Sequence, residues 1–226
     1  MKLTWYGHSA FELEGKHKTL IDPYISHNPV ATVRWQDLKP DVIVVTHGHS
    51  DHYGDTVEIA RSTGCKVIGI TEIADFLCKK GIDVIDLNLG GSIDFKGVGY
   101  TLVPAVHSNS IEENDKVFEA GCPVGVIVTD EKTVYHAGDT ALFHDMALIH
   151  ELFSPEVALL PIGGRFTMDI KAAVQAVKLI KPKLAIPMHY NTWGAIKTDE
   201  TVFKSLVEQQ TDTKVALLKP GDSIEI

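Results

Sequence analysis

Thr46-His47-Gly48-His49-Ser50-Asp51-His52 follows directly on the apolar run Asp41-Val42-Ile43-Val44-Val45. Three imidazoles and a carboxylate thus crowd into one short turn. As packing they make little sense, because buried polar groups need partners. Around metal ions they make good sense, since neutral imidazole nitrogens and carboxylate oxygens are the donors that zinc, manganese and iron take. Side chains at i and i+2 of an extended segment share a side, so His47 and His49 can grip one ion together. Asp51 and His52 come after the chain turns and can face a second ion. The β-branched run before the cluster reads as a buried strand, and residues 53–63 after it read as a helix. Donors at a strand end that leads into a helix are a common site geometry in α/β folds.

The bulk properties set outer limits. The 226 residues are 44% hydrophobic and 23% charged, ordinary for a soluble globular protein. No linker rich in Pro, Gly or Ser interrupts them, so a single domain over 1–226 is expected. A formal charge of −9 argues against a nucleic-acid surface, which needs clustered Lys and Arg. It leaves room for an anionic small-molecule substrate, because metal ions add local positive charge that the net charge does not count. Cys65, Cys78 and Cys122 are scattered and lack C-x-x-C spacing, the pattern of reduced, mostly buried thiols in a cytoplasmic protein. The first residues, Met1 to His8, carry no apolar leader, and no apolar run approaches the roughly 18 residues that span a bilayer. The expected partner is therefore a small molecule, with no nucleic acid and no membrane. A homo-oligomer is compatible with the composition.

Along the chain, residues 2–5, 10–14 and 18–21 read as strands, with Gly15 at a turn. Residues 24–36 read as an irregular loop on the surface or at the rim of a site. From Asp41 the pattern alternates: strand 66–70, helix 71–80 with Thr71 as N-cap and Gly81 as its stop, then strands 82–87, 92–95 and 100–106. Residues 108–119 read as a polar loop. A hairpin follows over 124–129 and 133–136, then helix 141–152, strand 157–160, helix 169–180, strand 184–186, helix 199–210, and strands 215–218 and 223–226. Each half is a run of strands ending in strand–helix units, an order that suits two sheets with helices on both outer faces.

Four donors cannot fill two metal sites. Three more stand just past expected strand ends, where site residues of layered α/β folds collect: His107, Asp139 and His189.

In this order and at these intervals, Thr46-His47-x-His49-x-Asp51-His52, His107, Gly138-Asp139 and His189 resemble the metallo-β-lactamase superfamily. Trp5-Tyr6-Gly7-His8-Ser9-Ala10, Ile21-Asp22-Pro23, Tyr135 to Thr140 and Pro161 to Asp169 narrow the resemblance. They are similar to a subgroup of metal-dependent hydrolases related to the ascorbate-6-phosphate lactonase and N-acyl-phosphatidylethanolamine phospholipase D branches. The resemblance implies an α/β fold, a single-domain four-layer αββα sandwich, with the site at one edge between the sheets. It implies that His47, His49 and His107 hold one ion, that Asp51, His52 and His189 hold a second, and that Asp139 bridges both. The second-site cysteine of one β-lactamase branch has no counterpart here, which weakens a β-lactam reading.

Several further residues carry two readings each. His8, in a turn between two strands, is either a proton donor or substrate contact at the site edge, or a hydrogen-bonded turn residue. Asp22 is either an acceptor for the free N–H of a ligand histidine or an Asp-Pro turn former. Arg165, with Thr167 and Gly163-Gly164, either pairs an anionic substrate group or sits solvated in a connecting loop. Tyr190 and Trp193 either floor the pocket or simply pack. His136 is expected to be structural.

The expected function is a dinuclear hydrolase. Two ions about 3.5–4 Å apart share a water, lower its pKa, and polarise the bond that the resulting hydroxide attacks. Asp51 has a second role as the base orienting that nucleophile. The substrate is a small ester, lactone or phosphodiester. Zinc is the first expectation for both ions; manganese, iron, cobalt and nickel suit the same donors. The alternatives are an iron-dependent redox enzyme of the persulfide dioxygenase type, a metal-dependent nuclease, and a non-catalytic metal scaffold.

Overall fold

A computed structural model describes all 226 residues, Met1–Ile226. The first half runs β1 (Lys2–Gly7), β2 (Ala10–Glu14), β3 (Lys18–Ile21), β4 (Val42–Val44), α1 (Ser50–Tyr53), α2 (Thr56–Thr63), β5 (Lys66–Ile70), α3 (Thr71–Cys78) and β6 (Val84–Leu87). The second half begins with β7 (Ser92–Phe95), β8 (Val98–Pro104), β9 (Ser110–Glu113), β10 (Lys116–Glu119), β11 (Val124–Thr129) and β12 (Thr133–His136). It continues through α4 (Met146–Phe153), β13 (Val157–Pro161), α5 (Ile170–Ile180), β14 (Leu184–Met188), α6 (Glu200–Gln210), β15 (Lys214–Val215) and β16 (Ser223–Glu225).

Two seven-stranded sheets form, in the orders β16-β1-β2-β3-β4-β5-β6 and β15-β14-β13-β12-β11-β8-β7. Each is antiparallel at one side and parallel at the other. In the first, β3 to β6 run parallel; in the second, β12 to β15 do. The parallel strands need crossovers, which the helices supply. The expected αββα arrangement is met.

The strands are written in sequence as apolar runs, as parallel strands covered on both faces must be. All five residues of β13 are buried, and so are Val42, Ile43 and Val44. The sheets meet through Phe11, whose ring packs edge-on against His136 at 5.7 Å. Tyr100 adds a polar link, its hydroxyl lying 2.5 Å from Thr19 Oγ1 and 2.7 Å from His17 Nε2. One continuous apolar core results. α5 turns Ala173, Val174, Ala176, Val177 and Ile180 inward, and Asp169 caps it by accepting a hydrogen bond from Ala172 N.

Several expectations need correction. The helix over 53–63 is two helices, broken at Gly54, where a Cβ would meet Pro23 O at 2.4 Å. Asp55 follows, its carboxylate accepting hydrogen bonds from Ile25 N and Ser26 N, and so anchors the loop that begins at Tyr24. The polar loop over 108–119 is the hairpin β9–β10. Its second strand is fully exposed and therefore carries no two-faced pattern. α4 starts at Met146, not 141, because Ala141 N is taken by Val106 O. Thr71 is the first helical residue rather than the cap, and its hydroxyl donates to Leu87 O. Of the three thiols only Cys65 is buried; Cys78 and Cys122 are exposed.

Phe11 is fully buried between the sheets. Truncating it to alanine is expected to cost about 3–5 kcal/mol in urea unfolding, whereas Val117→Ala on the exposed strand should stay within about 0.5 kcal/mol of the wild type.

Candidate metal centre

Strand ends deliver the donors. His47 and His49 lie in the turn after β4, and Asp51 and His52 in the short helix α1 that follows. His107 follows β8, Asp139 follows β12, and His189 follows β14, so both sheets contribute at one edge of the sandwich. The donor atoms of His47, His49 and His107 lie within 4.8 Å of one another. Those of Asp51, His52 and His189 form a second group, together with His8. Asp139 stands between them. Its Oδ2 is 3.6 Å from His107 Nε2 and 3.0 Å from His189 Nε2, and its Oδ1 is 3.2 Å from His52 Nε2.

Asp22 locks the first loop. It is fully buried, directly after β3, in a left-handed conformation with φ 48°. Its Oδ1 accepts Thr46 N–H at 2.8 Å. Its Oδ2 accepts the Thr46 hydroxyl at 2.6 Å and His52 Nδ1–H at 2.7 Å. The Thr46 hydroxyl has then spent its proton, so at 3.1 Å it accepts from His47 Nδ1. Both rings thereby commit Nδ1 to these partners and turn Nε2 toward the neighbouring donors, His47 toward His49 and His52 toward Asp139. Gly138 makes room for this arrangement. A Cβ there would meet Val124 O at 2.6 Å and Thr46 Cβ at 3.1 Å.

The electrostatics divide the two groups. Burial drives His47 well below the ordinary imidazole range, and it lowers His49 and His107 as well. These three are neutral donors, and His47 Nε2 faces His49 Nδ1 at 3.0 Å. In the second group burial also opposes charge on His52 and His189, but Asp139 overrides it. His52 rises well above its usual value and His189 to about 9. Burial would raise Asp139 in turn, yet His52 and His189 hold it well below the carboxylate range. Asp51 is likewise held low by hydrogen bonds from His189 and His8 against its burial.

The residues fit metal ions. His52 Nε2 and Asp139 Oδ1 are buried and 3.2 Å apart, yet neither makes an aligned hydrogen bond. A buried imidazole nitrogen and carboxylate oxygen that converge without an aligned hydrogen bond become a donor pair for a divalent ion once the imidazole gives up its proton. Asp22 also lies near His47 and His52. Its oxygens already accept three hydrogen bonds, so it orients ligands rather than serving as one.

His8 is fully buried, with φ 54°. Its Nε2 lies 3.1 Å from Asp51 Oδ2 and its Nδ1 2.8 Å from Thr192 Oγ1. Burial lowers it to about 4, so it is neutral near pH 7. A neutral ring beside a carboxylate donates from Nε2, and Thr192 then donates to Nδ1. His8 therefore holds Asp51 in place. Thr192, 184 positions away, is a partner that sequence reasoning missed. His136 is structural, donating to Ser9 O and accepting from Gly138 N.

A cavity of about 390 Å³ opens on the donors. His49, Asp51, His107, Asp139 and His189 line it, with Tyr24, Ser50, Ser108, Phe166 and Trp193. Trp193 covers His8 at 4.9 Å between ring centres, whereas Tyr190 is buried and stacks on Trp5 instead. Neither Arg165 nor Thr167 lines the cavity. Arg165 is exposed, its guanidinium 5.6 Å from the Phe166 ring centre, and Thr167 is buried. A larger cavity of about 470 Å³ lies at the opposite strand ends, between the ends of α5 and α6, with no group of metal donors in its lining.

Two outcomes follow. Thr46→Val removes the hydroxyl that accepts from His47 Nδ1 and donates to Asp22. Zinc affinity in chelator competition should drop about 10- to 100-fold while circular dichroism stays unchanged. Because His189 is pushed up to about 9 and His52 is raised well above its ordinary value, an incoming ion displaces protons at neutral pH. Zinc affinity by calorimetry should therefore climb as pH rises from about 6 to about 9.

The sequence pattern of the Beta-lactamase superfamily domain matches residues 2–189. A UPF0173 metal-dependent hydrolase of Methanosarcina mazei is 49% identical over 227 residues, covering 100% of this chain and 99% of the relative. One of Methanopyrus kandleri is 49% identical over 229 residues and covers 100% of both. Among solved structures, Igni18, described as a novel metallo hydrolase of the hyperthermophilic archaeon Ignicoccus hospitalis, matches with a TM-score of 0.90. It is 44% identical, and the match covers 99% of this chain and 97% of that one. With a matching domain over most of its length and full-length relatives at nearly half identity, the chain belongs to the metallo-β-lactamase superfamily, within the UPF0173 group of metal-dependent hydrolases.

Proposed function

We propose that the protein is a dinuclear metal-dependent hydrolase acting on a small ester, lactone or phosphodiester. The observation that carries this reading is the pair of donor groups, His47/His49/His107 and Asp51/His52/His189, with the Asp139 carboxylate between them. Each group would hold one ion, Asp139 would be shared, and zinc suits the histidine-rich set. Two such ions, when bound, acidify a water and polarise the oxygen of the bond under attack.

The chain's own residues do the rest. Asp51, kept ionised and held by His8 Nε2–H, accepts the proton of the attacking water. Asp22 and Thr46 keep His52 and His47 presenting Nε2 throughout. Tyr24, Phe166 and Trp193 wall the cavity against bulk water. Three free cysteines agree with a cytoplasmic setting. No helix is long and apolar enough to cross a membrane.

Metal analysis and a hydrolysis screen of esters, lactones and phosphodiesters test the reading on one preparation. About two ions per chain are expected, with kcat for Asp51→Asn reduced about 10²- to 10⁴-fold. His107→Ala should retain about one ion and lose turnover. One iron per chain with oxygen uptake would contradict it.

A further inference from the structure

The cavity lining beyond the metal donors consists of Tyr24, Ser50, Ser108, Phe166 and Trp193: three aromatic rings and two serine hydroxyls, with the Tyr24 hydroxyl donating to His27 O. No lysine or arginine joins them. Substrates with a charged, phosphorylated or carboxylated body are held by cationic side chains in fixed positions. Apolar bodies need walls of hydrophobic and aromatic side chains with few polar groups.

The rim extends the apolar character outward. Phe166 is 50% exposed, and two further large apolar side chains, Val106 (50%) and Leu142 (38%), stand exposed on neighbouring loops. Hydrogen bonds lace these loops into one block. Val106 N donates to Thr140 Oγ1, Ala141 N to Val106 O, and Met168 N to Thr140 O. The same loops deliver metal donors, since Val106 precedes His107 and Leu142 follows Asp139 by three residues. These exposed apolar side chains stand on loops that also carry the metal donors, and an apolar surface beside a site can take the apolar part of a ligand.

We propose that this apolar ledge, with Phe166 and with Trp193 beside His189 in the cavity lining, selects substrates whose non-reacting part is uncharged and apolar: an alkyl or aryl arm on the ester, lactone or phosphodiester. The proposal rests on the hydrolase reading of the metal centre and deepens it. Arg165, outside the lining and set against the Phe166 ring, takes no part in selection; Phe166 does. The room that the net charge leaves for an anionic substrate is then confined to the reacting group.

The test uses two hydroxamates of matched shape, whose common headgroup ligates metal. They are 4-methylpentanohydroxamate, with an apolar end, and succinic monohydroxamate, with a carboxylate end. Binding to the zinc-loaded full-length protein is followed by calorimetry. The apolar compound should bind at least about 10-fold more tightly. Phe166→Ala should reduce that ratio to about 3-fold or less with zinc content unchanged. Equal binding, tighter binding of the carboxylate, or a ratio that Phe166→Ala leaves intact overturns the proposal. So does a Phe166→Ala variant that changes only the oligomeric mass, because the ledge would then face a second copy. If the ratio behaves as expected while no ester, lactone or phosphodiester turns over, the hydrolase reading falls and apolar selection stands. If neither hydroxamate binds, both fall.

Discussion

A carboxylate as deeply buried as Asp139 requires positive charge beside it, and the architecture of the site follows from that requirement. No lysine or arginine meets it. Three imidazoles surround it at 3.0 to 3.6 Å, from both sheets, and two of them, His52 and His189, are raised toward the charged form. Protonated histidines satisfy such a carboxylate only in part, because burial opposes their charge. Divalent ions satisfy it better, since they are positive without needing protons on the ligands. The donor set is thus built around charge that side chains alone supply poorly.

The fold supplies the rigidity. His8, Asp22 and His189 all adopt positive φ, at 54°, 48° and 53°. Each costs on the order of 1 kcal/mol or more for a residue with a side chain. Neighbouring hydrogen bonds hold them there: Trp5 Nε1 and His189 N both donate to His8 O, and Thr46 and His52 hold Asp22. The strained positions link the first sheet's turns to the second sheet's last donor loop. Metal donors on four separate loops are therefore pre-positioned by the backbone rather than gathered by the ions.

Much of this was legible in the sequence. The apolar run before Thr46 and the strand–helix alternation after it carried the fold, because buried parallel strands and amphipathic helices leave strong periodic patterns. Four of the seven candidate donors stood out as the cluster after β4, and His107, Asp139 and His189 because each follows a strand. What escaped was local or long-range. The hairpin Ser110–Glu119 escaped because its exposed strand, Lys116-Val117-Phe118-Glu119, has no buried face to alternate with. The break at Gly54 depends on Pro23, thirty-one positions earlier. His8 and Asp22 each carried two readings because their partners, Asp51, Thr192 and Thr46, are distant in sequence. Arg165 drew attention by its charge, while its neighbour Phe166, an unremarkable loop aromatic, is the residue that lines the cavity.

In the proposed hydrolase, two separate donor groups share Asp139 and hold two ions. Anomalous diffraction at the zinc absorption edge, from crystals grown with zinc, tests it most directly. The account predicts two peaks, one among His47, His49 and His107 and one among Asp51, His52 and His189, with the Asp139 carboxylate reaching both. A single peak, or a second ion held away from Asp139, would contradict it.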